Sequence, residues 1–229
     1  MKNIIYYFLC GLILPSCVLA DSSAIDKIYH PYVQALEREI EYRMISADDE
    51  TAYRLGLGKS FSDRLFVELY LTGSNKKNQN DPDIDSYELE TKWQLTEQGE
   101  YYADWGVVVE LEKQKNIVAW ELSTGLLVEK EWGKWVGTAN FWAIYEWGDR
   151  PNDELESVLA LQSRYRYSRY FEPAIEFYSG EQTRGIGPVA LGELRFGKGK
   201  KLKWEAGAII GLDAKTPDTT WRFLTEFEF

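Results

Sequence analysis

Cysteine is nearly missing from this chain: the two present, Cys10 and Cys17, both precede residue 20. Once they are removed by cleavage after Ala20, the mature chain has no thiol. That excludes a disulfide, a thiolate metal site and a cysteine nucleophile. Histidine occurs once, as His30, which leaves a soft transition-metal site or a histidine-driven catalytic centre poorly supplied. Positive charge is also short, with 26 Lys and Arg against 37 Asp and Glu and a net charge of −11. A chain so acidic is a poor binder of nucleic acid. Beyond the first 20 residues no apolar run approaches the ~20 residues of a membrane-spanning helix. If the mature chain crosses a membrane, it crosses as strands.

The first residues read as an export signal. Lys2 supplies a short positive region, Ile4 to Leu14 is almost unbroken apolar sequence, and Val18-Leu19-Ala20 is a small-residue cleavage site before Asp21. Residues 1–20 are therefore expected to be a Sec-type signal peptide. Leu14-Pro15-Ser16-Cys17 offers a competing reading as a lipobox, which would place a lipid on Cys17.

Aromatics are abundant, 15% of residues, and they alternate. In the closing stretch Trp221, Phe223, Thr225, Phe227 and Phe229 share one face of a strand. Arg222, Leu224, Glu226 and Glu228 share the other. From about Val33 onward the chain is a succession of such runs separated by turn residues, with no convincing helix. The runs are expected near 34–46, 50–60, 64–74, 84–95, 102–113, 117–131, 134–147, 154–166, 171–180, 186–197, 201–212 and 218–229. Several exceed ten residues, longer than the ~5–6 typical of globular strands and close to the ~9–11 of a tilted membrane strand. Trp135 and Trp147 make a geometric check. Their separation is ~40 Å along a strand, or ~28 Å after a tilt of ~45°, near the ~25 Å apolar band between aromatic girdles. Trp142 falls on the opposite face, with no role in this reading.

A signal peptide, alternating hairpins and a strand ending on Phe229 together resemble the small bacterial outer-membrane β-barrels of the porin-like transporter class. No motif singles out a subfamily. The resemblance implies an all-β fold, a single antiparallel transmembrane β-barrel of about 12 strands, in the outer membrane of a Gram-negative cell. It divides the chain into a signal peptide (1–20), a periplasmic N-terminal segment (21–33) and a transmembrane barrel (34–229). Its implied partners are the lipid bilayer and the barrel-assembly machinery, which would read Phe229 as an assembly signal. The periplasmic turns are expected to be short. The longest loop, between Ser74 and Ile84, is expected on the outer side.

The pleat then assigns faces. Glu37, Glu39, Glu41, Glu68, Glu88, Glu90 and Glu110, with Arg164 and Arg166 as counter-charges, are expected to line the lumen. Trp135, Tyr145, Trp147 and Phe227 are expected in the lipid-facing girdles. An acidic lumen favours passage of a small solute or cation; alternatively, the charges pair across a filled, non-conducting scaffold that acts through its surface. A third reading, a surface lipid-modifying enzyme, would need His30 as its base, and His30 precedes the first strand. No cofactor, metal or reaction chemistry is assigned. Asp81, Asp83 and Asp85 read as a solvated acidic loop, because they lack an EF-hand register.

Overall fold

Alternation of this kind leaves each strand with one apolar and one polar face, and the polar faces must meet water or one another. The computed structural model describes residues 25–76, 83–149 and 154–229, and it meets this demand by closing the sheet on itself. Twelve strands follow in chain order: β1 (Arg38–Ala47), β2 (Glu50–Ser60), β3 (Leu65–Lys76), β4 (Asp83–Gln94), β5 (Asp104–Gln114) and β6 (Ala119–Trp132); then β7 (Trp135–Gly148), β8 (Glu154–Tyr165), β9 (Glu172–Ser179), β10 (Arg184–Arg195), β11 (Lys201–Gly211) and β12 (Thr219–Glu228). Each pairs antiparallel with the next, and β12 returns to β1 in a register running from Glu39↔Glu228 to Ala47↔Thr220. The Phe229 amide donates to the Arg38 carbonyl at 2.9 Å and ties the seam at its end. Closure leaves no edge strand with unpaired backbone groups, the requirement for crossing a bilayer with strands.

The outer surface is apolar. Leu57, Leu69, Leu89, Trp105, Phe141, Ile175 and Trp221 are exposed around the wall. A belt of this size is stable only against hydrocarbon or a large partner. Trp132 pairs with Trp135 towards one end of the wall and Trp120 with Trp147 towards the other. The second pair stacks at 6.4 Å, with Tyr145 adding a further ring at 5.7 Å. Aromatic pairs thus stand near both ends of the β6–β7 hairpin.

Two expectations need correction. The first strand begins at Arg38, not 34, because the chain turns at Leu36, which has φ 64° and is 90% exposed. The contrast between short turns and long loops is also lost. Connections 95–103 and 166–171, at the end that holds Phe229, are no shorter than connection 77–82 at the other, because β3 and β4 extend into the stretch read as the longest loop. Residues 1–24, with the signal peptide and Cys17, and Asp81 lie outside the described residues.

A further difference positions the site. The sequence pattern assigns 21–33 to a periplasmic segment ahead of the barrel. Its described part, residues 25–33, runs within the ring of strands and is largely buried. Ile25 and Ile28 pack against Ala160, Ala174, Tyr178, Val189, Leu191 and Ile209, an apolar patch on the inner face of β8–β11. One wall position is shaped for it: a Cβ at Gly106 would stand 2.9 Å from Pro31 Cα, so glycine on β5 lets the segment's backbone close on the wall.

Candidate functional site

The inner faces of β1–β5 concentrate carboxylates. Cross-strand register sets Glu68 opposite Glu90 and Glu90 opposite Glu110, while Glu88 faces Glu112. Like charges directly opposite one another repel, so this arc requires cations among its carboxylates. Arg54 on β2 supplies one, with Glu88 at 3.3 Å, and Arg43 on β1 binds Glu41 at 2.6 Å. The segment supplies another: Lys27 Nζ lies 2.6 Å from Glu41 and donates to the Tyr70 hydroxyl at 3.1 Å.

The remaining contacts follow the segment downward. The Asp26 carboxylate is held by the Arg43 and Arg54 guanidinium groups, the latter at 3.2 Å. Burial by itself would raise the pKa of Asp26. Arg43, Arg54 and Lys27 outweigh it, and the net shift is down from 3.8. The Asp26 carbonyl accepts from Tyr178 at 2.5 Å and from Arg222.

Tyr29 is gripped at both its backbone and its side chain. Its amide donates to Asn140 Oδ1 at 2.7 Å, and Asn140 Nδ2 donates back to its carbonyl at 2.9 Å. Its hydroxyl lies 2.9 Å from Glu90 and 2.8 Å from Glu110. One hydroxyl proton serves one carboxylate at a time, so both contacts are satisfied only when one carboxyl is itself protonated.

Below Tyr29, His30 Nδ1 lies 2.5 Å from Glu129, which also accepts from Thr138 at 2.9 Å. Tyr32 donates to Asp104 at 2.7 Å, and the Val33 amide donates to Gln94 at 2.8 Å. Among the described residues no ladder joins the segment to a strand; side chains hold it.

The sequence-assigned lumen residues fall into three groups. Glu41, Glu68, Glu88 and Glu90 are buried, as is Glu39, and Glu110 is partly so; all lie on the inner face of the wall. Glu37 precedes β1 and sits in the turn below it, accepting from the Gln34 amide at 3.3 Å. Arg164 and Arg166 are engaged by neighbouring glutamates: Arg164 with Glu172 at 3.1 Å, Arg166 in a fork on Glu131 at 2.7 and 2.5 Å. Of the girdle residues, Trp135 and Tyr145 are exposed, while Trp147 and Phe227 are partly covered, Phe227 by stacking at 6.0 Å on Phe229.

The sequence reading missed Asp26, Lys27, Tyr29, Asn140 and Glu129 as members of one site. Asn140 was legible as an inward residue. Nothing in a short aperiodic stretch signals that it folds into the barrel. His30, weighed as a base at the rim, is instead committed to Glu129 in the interior. The interior divides around the segment. A cavity of about 560 Å³ lies on the side of Gln34 and Glu37, and one of about 50 Å³ lies on the side of Ile144 and Val158.

No known protein family matches the chain, and no curated protein matches it in sequence. Solved structures do share its shape. An outer membrane channel from Pseudomonas putida has a TM-score of 0.57 and 14% identity over 89% of this chain and 97% of that one. The KdgM porin, solved in complex with disordered oligogalacturonate, has a TM-score of 0.55 and 11% identity over 83% of this chain and 98% of that one. At such identities the likeness is one of architecture: the fold of this chain is that of porin-like outer-membrane β-barrels.

Proposed function

We propose that the chain is an outer-membrane channel for small solutes or cations whose acidic lumen is occupied at its waist by its own N-terminal segment. One observation carries this reading: residues 25–33 are held in the lumen by side-chain contacts that water or a solute can replace, while the wall closes through its own β1–β12 ladder. Twelve strands enclose more room than wall side chains fill, and the segment takes up the excess. The end holding Phe229 is assigned to the periplasm, and Phe229 itself to recognition by the assembly machinery. No reaction chemistry is assigned, and His30 has no catalytic part.

The test is conductance in planar bilayers. Wild-type protein should open rarely, and Tyr29→Phe combined with Asn140→Ala should open often, with cation preference. Glu88→Gln with Glu90→Gln in that background should weaken the preference. Silence from every variant would favour the second reading, a non-conducting scaffold or surface interaction protein. That reading has its own support in the paired charges of the wall: Arg222 with Glu176 at 2.7 Å and Lys203 with Glu226 at 3.0 Å.

A further inference from the structure

The groups that hold the segment are selective in chemistry. A guanidinium pair, Arg43 and Arg54, takes a carboxylate. Beside it Glu41, already bound to Arg43 through Oε1, takes an ammonium through Oε2, with the Tyr70 hydroxyl and ring at the same nitrogen. The Asn140 amide reads one residue's amide and carbonyl together. Tyr178 and Arg222 cap the backbone carbonyl of the same aspartate. These are the elements of a site for a zwitterion, assembled around this segment from six strands, β1, β2, β3, β7, β9 and β12.

Charge balance sets the sign of the ligand. Near the ammonium, Glu68 Oε1 is buried with no hydrogen-bond donor among the described residues, on a residue 1% exposed; Glu88 Oε1, beside Arg54, is likewise without a donor on a residue 3% exposed. A buried carboxylate oxygen left unpaired is costly, so this wall calls for donors beyond those its own arginines provide. The cavity of about 560 Å³ borders Lys27, Glu39, Glu68 and Glu90. It gives a ligand the size of an amino acid room to approach.

We propose that the waist of the barrel is a binding site for a small zwitterion carrying an additional ammonium, a lysine-like amino acid or short basic peptide, and that Asp26 and Lys27 stand in for it. The proposal rests on the channel reading for its physiological sense, since it names the solute class that would displace the segment. A tethered occupant competes at high effective concentration. Ligand affinity in the intact protein is therefore low until the segment's own grip is weakened.

The experiment is calorimetric titration of the full chain in detergent with L-lysine, and with L-glutamate as the anionic counterpart. Asp26→Asn with Lys27→Gln should tighten L-lysine binding about tenfold or more, the loss of two charge-assisted contacts from the competitor. L-Glutamate should show no comparable gain. Adding Glu41→Gln should abolish the gain for lysine. These changes on the segment leave the wall intact, so the lysine–glutamate comparison does not depend on a wall variant folding. An unchanged lysine affinity, or equal binding of glutamate, overturns the site. Conductance without lysine preference sinks the site and spares the channel. Lysine binding to a silent barrel keeps the site and sinks the channel.

Discussion

The Tyr29 ring meets the Trp142 ring edge-on, with centroids 5.3 Å apart and planes at 70°. This contact gives the inward tryptophan its purpose. Val108 and Leu127 complete the cluster from β5 and β6, a second apolar socket besides the patch on β8–β11. The Tyr29 ring enters it while its hydroxyl reaches Glu90 and Glu110.

Tyr29→Phe keeps the ring in that socket and removes the hydroxyl from Glu90 and Glu110. The cost to docking should be about 1–3 kcal/mol, the range for stranding a buried polar partner. The undocked population should rise about tenfold per 1.4 kcal/mol. Bilayer recordings should show more frequent openings than wild type. Trp142→Ala should act in the same direction by emptying the socket.

Gly106→Val tests the close approach of Pro31. A Cβ there stands 2.9 Å from Pro31 Cα, which is backbone and cannot rotate away. The barrel should assemble, shown by its heat-dependent mobility on gels, while the segment is pushed off the wall and openings increase. Wild-type conductance from this variant would mean that the segment does not limit passage.

Arg222 belongs to the wall and should behave differently. It is 2% exposed and holds Glu176, which is fully buried. Arg222→Met removes the counter-charge of that carboxylate and leaves it only the neutral donors Gln162 and Tyr178, a loss of about 3–5 kcal/mol for a broken buried pair. The urea midpoint of refolding into lipid vesicles should fall accordingly. Adding Glu176→Gln should recover much of the loss.

Acid should release the segment. The Asp26 pKa is lowered below 3.8 when docked, so the docked form binds fewer protons than the free one. Its contribution to docking is complete above 3.8 and is lost as pH falls through the lowered value. Openings should become more frequent over that acid range. Asp26→Asn should open more at neutral pH and lose this part of the pH response; an identical profile in both would remove Asp26 from the coupling.

The sequence by itself determined the wall. A side-chain period of two is local physics, so Leu69, Leu89 and Trp221 on one face, and Glu68, Glu90 and Arg222 on the other, follow from the pleat alone. Twelve such runs, each with a polar face to hide from lipid, require closure. Most boundaries moved by one or two residues, and the largest shift, at the start of β1, follows the turn at Leu36.

What only the tertiary structure decided is the filling of the lumen. Asp26 and Arg222, 196 residues apart, or Tyr29 and Asn140, 111 apart, are brought together by closure, and no local pattern encodes such meetings. Nor could spacing show that Glu129 would claim His30, or that Gly106 would leave room for Pro31. Those contacts form because an acidic arc on β1–β5 and an apolar patch on β8–β11 face each other across one interior. The short stretch between them carries a lysine on one side and isoleucines on the other.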